Sequence, residues 1–377
     1  MDPSIALTLL GAISPQTFMR RHWHKKPLLI RQAFPGFSPV LSRSELFALA
    51  SREEVESRLI ARHAPGQPHW RVQHGPFARR DLPKLSTPDW TLLVQGVDLH
   101  HDAAHELLQQ FRFIPDARLD DLMISFATEG GGVGPHYDSY DVFLLQAQGQ
   151  RRWRLAKKFD PTLRADTAVK ILANFEPEQE FVLAPGDMLY LPQHYAHDGV
   201  AEGGECMTYS IGFRSPARAE LAQELLTRLG DEAAQSFDAQ RYRDPKQEAV
   251  QQPAAIPHAL QDFAQQAIQA ALRDPQALAR ALGELLSEPK PNVWFESAPK
   301  PSLRGAIKLD RRTRMLYDDR HIFINGESFR AGGRDARLMH ELADRRSLPA
   351  SKRAQLSPEA LDLLGQWLAA GWLHSAR

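Results

Sequence analysis

A single cysteine, Cys206, stands among 377 residues. That excludes an intrachain disulfide and a zinc site built on several thiolates, and it fits a reducing compartment, with the cytoplasm as the expected location. An excess of one charge is also missing, since 46 Lys and Arg face 46 Asp and Glu. No net field draws the chain to nucleic acid or to an anionic membrane, so any such contact has to come from a local patch. Long apolar runs are absent as well. The opening MDPSIALTLLGAIS holds only a short one, and Asp2 sits where a secretory signal would carry positive charge. It is expected to form the first core element. The chain exceeds one ordinary core, which predicts roughly two or three domains.

What is present changes texture along the chain. SPQTFMRRHWHKKPLLI predicts a helix opened by Ser-Pro, then a short strand after Pro27. From Asp121 to Phe213, short apolar runs are cut by EGGGVGP, AQGQ, APGD and AEGGE, the pattern of a β-sandwich or barrel. Beyond Pro216, apolar residues recur at three- and four-residue spacing and predict amphipathic helices. A Pro-rich stretch, SEPKPNVWFESAPKPSLRG, reads as a linker. Two short strands around Asp318-Asp319 and two further helices then suggest a winged-helix type of module. The expected domains are residues 1–215, 216–290 and 291–377. The middle helices are more apolar than a solvent-facing hairpin should be, which predicts a homodimer through them.

The chemistry concentrates in GPHYDSYDVFLLQAQGQRRWRL. On an extended segment, His136 and Asp138 point to one face because side chains alternate with period two. With 15 histidines in the chain such a pair occurs readily by chance, so a third ligand is needed. LAPGDMLYLPQHYAHDGV supplies His197, with Gly-x5-Pro-x4-His spacing similar to the second signature of the cupin fold. A Gly usually follows that Pro by two residues. Here His194 stands there, as a ligand's neighbour or as a loop residue. Two histidines and one carboxylate leave positions open for co-substrate and oxygen, the arrangement of non-haem Fe(II) oxygenases. The stretch after Asp138 is patterned like a β-hairpin turning at QAQGQ, with Arg151 and Trp153 on one face and Arg152 and Arg154 on the other. An inward arginine needs an anion. The far carboxylate of 2-oxoglutarate would satisfy it by a bidentate contact.

MISFATEGGGVGPHYDSYDVFLLQAQGQRRWRL, PGDMLYLPQHYAHDG and YSIGFRSP together resemble the JmjC-type ribosomal oxygenases. Within that family the resemblance is to the bacterial arginine hydroxylases that act on the sixteenth protein of the large ribosomal subunit. It is strong over roughly residues 100–215 and extends to HWHKKPLLIRQAF. It implies a fold of mixed β and α content: a cupin/JmjC double-stranded β-helix barrel, a helical dimerisation segment and a C-terminal winged-helix-like domain. By position it makes His136, Asp138 and His197 the iron ligands and Arg151 the residue holding 2-oxoglutarate. The implied cofactors are Fe(II), 2-oxoglutarate and molecular oxygen. The implied reaction is hydroxylation of the β-carbon of an arginyl residue in a large-subunit ribosomal protein. Ser125 is a candidate co-substrate contact, and GGGVG would let backbone approach a peptide closely.

Other readings stay open at this level. The same chemistry could act on a histidyl residue, or the barrel could be a binding module without catalysis. His100, His101 and His105 are rival ligands to consider; His101 and His105 stand four apart on a predicted helix, a zinc spacing without a third ligand, and are read as a solvated face. His22 and His24 flank Trp23 and are read as surface or linker residues. Between Lys300 and Arg353, 14 Lys or Arg stand against 7 Asp or Glu. That bias could meet nucleic acid, although a charge run is usually a solvated surface.

Overall fold

Local chemistry sets the first elements. Ser14 accepts a hydrogen bond from the Thr17 backbone and Pro15 opens helix α1 (Pro15–Arg21), as the Ser-Pro start predicts. Strand β1 (Leu28–Ile30) follows. Helix α2 (Arg43–Ala50) begins with a reciprocal box in which the Ser42 hydroxyl accepts from Glu45 N–H and the Glu45 carboxylate from Ser42 N–H. Next come β2 (Ser57–Arg62), β3 (Trp70–His74), β4 (Trp90–Val94) and helix α3 (Asp102–Gln109). They are followed by β5 (Leu119–Ala127), β6 (His136–Tyr137), β7 (Val142–Ala156), β8 (Gln179–Leu183), β9 (Met188–Leu191) and β10 (Ala196–Phe213). The computed structural model describes residues 2–62, 70–165, 167, 169–236, 241–297, 303 and 305–376. It divides into two units, Met1–Ser215 and Pro216–Arg377.

The first unit is organised by one long ribbon. β7 and β10 run antiparallel from Ala196 opposite Ala156 to Gly212 opposite Val142, with a register shift between Glu202 and Thr208. Here the expected hairpin is corrected: QAQGQ does not turn the chain back, and Val142–Ala156 is one continuous strand. Gly149 passes through with φ 67°, and a Cβ there would meet the Glu205 carbonyl of the partner strand. A bulge therefore forms where a turn was expected, because β10 carries its own irregularity opposite and keeps the pairing. The bulge shifts the alternation by one residue, so that 142 and 144 share a face with 153 and 155.

The two halves of the ribbon belong to two sheets. Toward one end, β7 pairs with β9 and β10 with β5, giving the order β1-β9-β7-β10-β5-β4-β2-β3. Toward the other, β7 pairs with β8 and β10 with β6. Val142, Leu144, Leu189 and Leu191 of the larger sheet pack with Trp153, Leu155 and Leu183 of the smaller in one buried cluster. Two facing sheets joined by shared strands make the double-stranded β-helix expected from the sequence. The outer face of the larger sheet buries a separate core that includes Leu10, Phe18, Phe143, Tyr190 and Tyr209. Leu9 and Leu10 of the opening stretch belong to it.

The second unit starts with helices α4 (Arg218–Ser236), α5 (His258–Ala271) and α6 (Ala277–Ser287). Strands β11 (Ala306–Leu309), β12 (Met315–Tyr317), β13 (His321–Ile324) and β14 (Glu327–Arg330) follow. Then come α7 (Gly333–Arg345), β15 (Ser347–Leu348), α8 (Ala350–Arg353), α9 (Pro358–Ala369) and β16 (Leu373–Ala376). The strands form two three-stranded sheets, β15-β11-β16 and β12-β13-β14. Ile307, Ile322, Leu342, Leu364 and Trp367 share one core. Helix α6 lies on β13 so closely that a Cβ at Gly283 would enter the Phe323 ring. Part of the Pro-rich stretch read as a linker, residues 298–302 and 304, lies outside the described residues.

Candidate metal centre

His136 and His197 are cross-strand neighbours on β6 and β10, with ring centroids 4.2 Å apart. Each ring is oriented by a backbone carbonyl: His136 Nδ1 lies 2.8 Å from the Gly134 oxygen, and His197 Nδ1 2.9 Å from that of Tyr195. A carbonyl can only accept, so both Nδ1 atoms carry the proton and both Nε2 atoms keep a lone pair. Asp138 completes the set, with Oδ2 3.7 Å from His197 Nε2. One ligand atom from each of the three residues lies within 4.8 Å of the others. His197 is buried, and desolvation, followed by the neighbouring His136, pushes its pKa below the ordinary value. A neutral imidazole is what a metal requires. Two imidazole nitrogens and one carboxylate suit a divalent first-row metal that keeps free positions.

His194 is not part of this group. Its φ of 60° makes it a turn residue, and its N–H donates to the Asp138 carbonyl at 2.8 Å. It thus occupies, at some backbone strain, a position that suits glycine, and steadies the loop bearing Asp138.

Arg151 lies on the same inner wall. Opposite Ala201 on β10 and Leu183 on β8, it is 3% exposed. Its Nε and Nη2 have no hydrogen-bond partner among the described residues. Its guanidinium stands over the Trp153 ring at 5.7 Å, and that ring lies 5.9 Å from His197. Gly199, opposite Trp153, leaves room for the indole, since a Cβ there would sit 2.6 Å from the ring. On the outer wall, Arg152 pairs with Glu180 and Glu202, and Arg154 with Asp198. A buried guanidinium without an acceptor is costly, and the group that fits it is a carboxylate.

Further polar residues line the larger sheet, and sequence reasoning singled out only one of them. Register aligns Arg58, Leu93, Ser125, Thr208 and Gln146 across five strands. Ser125 donates to the Thr208 carbonyl at 3.3 Å, and Thr208 donates to Gln146 Oε1 at 3.0 Å. Tyr140, an exposed residue two positions after Asp138, has its hydroxyl pKa raised by desolvation and then by the Asp138 charge. Arg58 carries no local signature, because only strand pairing brings it here.

The remaining candidates fall elsewhere. His105 is buried on α3, which corrects the solvated face expected for it, and His101 precedes that helix. The helix buries Ala104, Leu107 and Leu108, and position 105 lies at the edge of that stripe next to Leu108. His24 pairs with the buried Asp141 at 3.0 Å, a structural role rather than a linker. The glycines of GGGVG are needed for packing against the protein itself: a Cβ at Gly132 would strike the Gly199 carbonyl, and one at Gly134 would lie 2.9 Å from Ile171.

Comparison with known proteins gives concordant matches. The JmjC domain family matches residues 106–221, and the ROXA-like winged helix family matches residues 267–374. The ribosomal protein uL16 3-hydroxylase of Escherichia coli K12 is 36% identical over 275 residues, covering 72% of this chain and 70% of that protein. A probable ribosomal oxygenase of Haemophilus influenzae is 37% identical over 216 residues, covering 56% of this chain and 52% of that protein. The structure of YcfD, a ribosomal oxygenase from E. coli in complex with cobalt and 2-oxoglutarate, superposes with a TM-score of 0.79. The identity is 31%, over 98% of this chain and 99% of that one.

Proposed function

Because the chain belongs to the JmjC-domain ribosomal oxygenases, we propose that it hydroxylates the β-carbon of an arginyl residue in ribosomal protein uL16. The cofactors are Fe(II), 2-oxoglutarate and oxygen, as suggested by the E. coli relative's name and the cobalt and 2-oxoglutarate held by the similar structure. One observation carries the reading. Three ligand atoms and a buried, unpartnered guanidinium converge inside one barrel, where each alone would be a cost.

His136, Asp138 and His197 would hold the metal through the two Nε2 atoms and the carboxylate. Their second contacts, to the Gly134 and Tyr195 carbonyls and from His194 N–H, fix ring tautomers and loop position. Arg151 would bind the distal carboxylate of 2-oxoglutarate, and Trp153 and Leu183 keep water from that contact, which strengthens it. When bound, iron supplies oxygen activation, with 2-oxoglutarate leaving as succinate and carbon dioxide while one oxygen atom enters a substrate C–H bond.

Assembly follows from the second unit. Leu226, Ile268, Leu272 and Leu278 of the 216–290 segment are exposed, a pattern that supports homodimerisation through these helices. No helix among the described residues is long and apolar enough to cross a membrane. A ribosomal-protein substrate supports action in the cytoplasm.

The test is intact mass of recombinant ribosomal proteins after incubation with the enzyme, Fe(II), ascorbate and 2-oxoglutarate, with fragmentation to locate added oxygen. One oxygen on an arginine of uL16 is expected. Succinate formed without mass gain on any ribosomal protein would overturn the substrate. Absence of both would make the barrel a binding module.

A further inference from the structure

Residues 3–44 contain Arg20, Arg21, Lys25, Lys26, Arg31 and Arg43 and no Asp or Glu, in a chain whose totals are balanced at 46 and 46. Two of these cations have acidic partners, Arg31 with Asp187 at 2.7 Å and Arg43 with Glu205. The other four have no ion pair among the described residues, and all four are exposed. Arg20 and Arg21 close α1, and the chain then folds back on itself, with the N–H groups of Lys25 and Lys26 donating to the His22 carbonyl at 2.8 and 3.1 Å. The Lys25 ammonium donates to the Arg20 carbonyl at 2.6 Å. Four positive charges therefore share one knob.

The knob is rigidly seated. Phe18 is wholly buried against Phe143 and Tyr190, and Trp23 stacks on Tyr190 and meets Phe213 edge-on. Acids in the structure around it are already engaged. Asp141 accepts from Tyr190 and faces His24, and Asp116 is held by Arg112. The segment carrying Asp116 packs here through Phe113 on Phe18 and Arg118 over Trp23.

The helix end accounts for the position of most of these cations and not for their number. Cations at a helix C-terminus complement the helix dipole, which accounts for Arg20 and Arg21. The Lys25 ammonium also caps that end, on the Met19 and Arg20 carbonyls, but Lys25 and Lys26 bring two further positive charges with no carboxylate paired to them among the described residues. Residues 300–353 show the contrast. There Arg312 pairs with Asp310, and Arg345 and Lys352 pair with Glu341. Counting charges along the sequence favours that later stretch, but the fold uses much of its charge internally.

We propose that the Arg20, Arg21, Lys25 and Lys26 knob is a docking surface for the phosphates of RNA. A lipid surface fits less well, because interfacial helices set exposed apolar side chains beside their cations, whereas Phe18 and Trp23 of the knob are both buried. The inference goes beyond the hydroxylase reading and does not rest on it. Binding of RNA is measured without turnover, so the two fail separately.

The experiment is fluorescence anisotropy of a labelled RNA hairpin titrated with the full chain at graded KCl. Four phosphate contacts predict a slope of log K against log salt of about −3 to −4. Replacing all four residues by Gln, in a variant whose melting temperature matches the parent, is expected to weaken binding at least about tenfold at low salt and flatten the slope. A second variant, Arg330→Gln/Arg334→Gln/Arg337→Gln, is expected to bind as the parent does. The proposal is overturned if the parent shows no salt-dependent RNA binding or if the fourfold variant binds unchanged. It is equally overturned if the second variant takes the loss, or if phosphatidylglycerol vesicles compete for the knob and RNA does not.

Discussion

Arg151 and Arg152 are neighbours in the chain and opposites in their surroundings. The outer wall of the smaller sheet matches each of its arginines with carboxylates, Arg152 with Glu180 and Glu202 and Arg154 with Asp198. The inner wall leaves Arg151 with two nitrogens lacking partners among the described residues and gathers two histidines and an aspartate nearby. The outer wall balances its arginines with its own carboxylates, whereas the inner wall gathers groups that could hold a metal and an anion. The difference teaches that one strand can build a solvated surface and a reactive interior at once, because alternation sends consecutive residues to different media.

Breaking the inner wall at its metal side has the largest expected effect. His136→Ala or Asp138→Ala should abolish turnover together with bound iron, measured by succinate release and elemental analysis. Retained iron in either variant would move the centre elsewhere.

Arg151 comes next. Arg151→Met should raise the apparent dissociation constant for 2-oxoglutarate by about 30-fold or more, the usual consequence of truncating one partner of a buried charged pair. The same change should raise the melting temperature of the ligand-free protein, because it removes an uncompensated buried charge. Calorimetry and thermal melting check the two halves, and a fall in ligand-free stability would mean that Arg151 already has a partner.

Gly199→Ala tests how tightly the wall is packed. A methyl group 2.6 Å from Trp153 should cost about 1–3 kcal/mol in a denaturant titration and weaken 2-oxoglutarate binding by displacing the indole under Arg151. The smallest effect belongs to the outer wall. Arg152→Ala should change stability by no more than about 1 kcal/mol and leave turnover as it is. A large loss of activity there would erase the distinction between the two walls.

Much of the inner wall was legible in the sequence. A His-x-Asp pair on extended backbone shares a face wherever it lies, and the spacing from Gly186 through Pro192 to His197 carries a strand and a short loop. Arg151 could be assigned to the side of Trp153 because period two holds locally. The continuity of β7 could not be read in the same way. Gly149 suits a turn and a bulge equally, and the choice is made by β10, some fifty residues later, whose irregularity between Glu202 and Thr208 matches it. Likewise GGGVG reads as room for a peptide, whereas its glycines make room for Gly199 and Ile171.

The sequence by itself determined which groups could ligate a metal and which could bind an anion, since donor type and local alternation are properties of the chain. It also determined the barrel's punctuation and the helical character of the residues after Pro216. Only the tertiary structure decided that His136 and His197 meet at 4.2 Å and that His194 serves as a turn. It also decided that Arg58 shares a register row with Ser125 and Gln146, and that four N-terminal cations have no ion pair among the described residues while several in the last module do. The reason is physical: pairing, burial and charge neutralisation depend on which distant strands lie side by side, and local composition does not encode that.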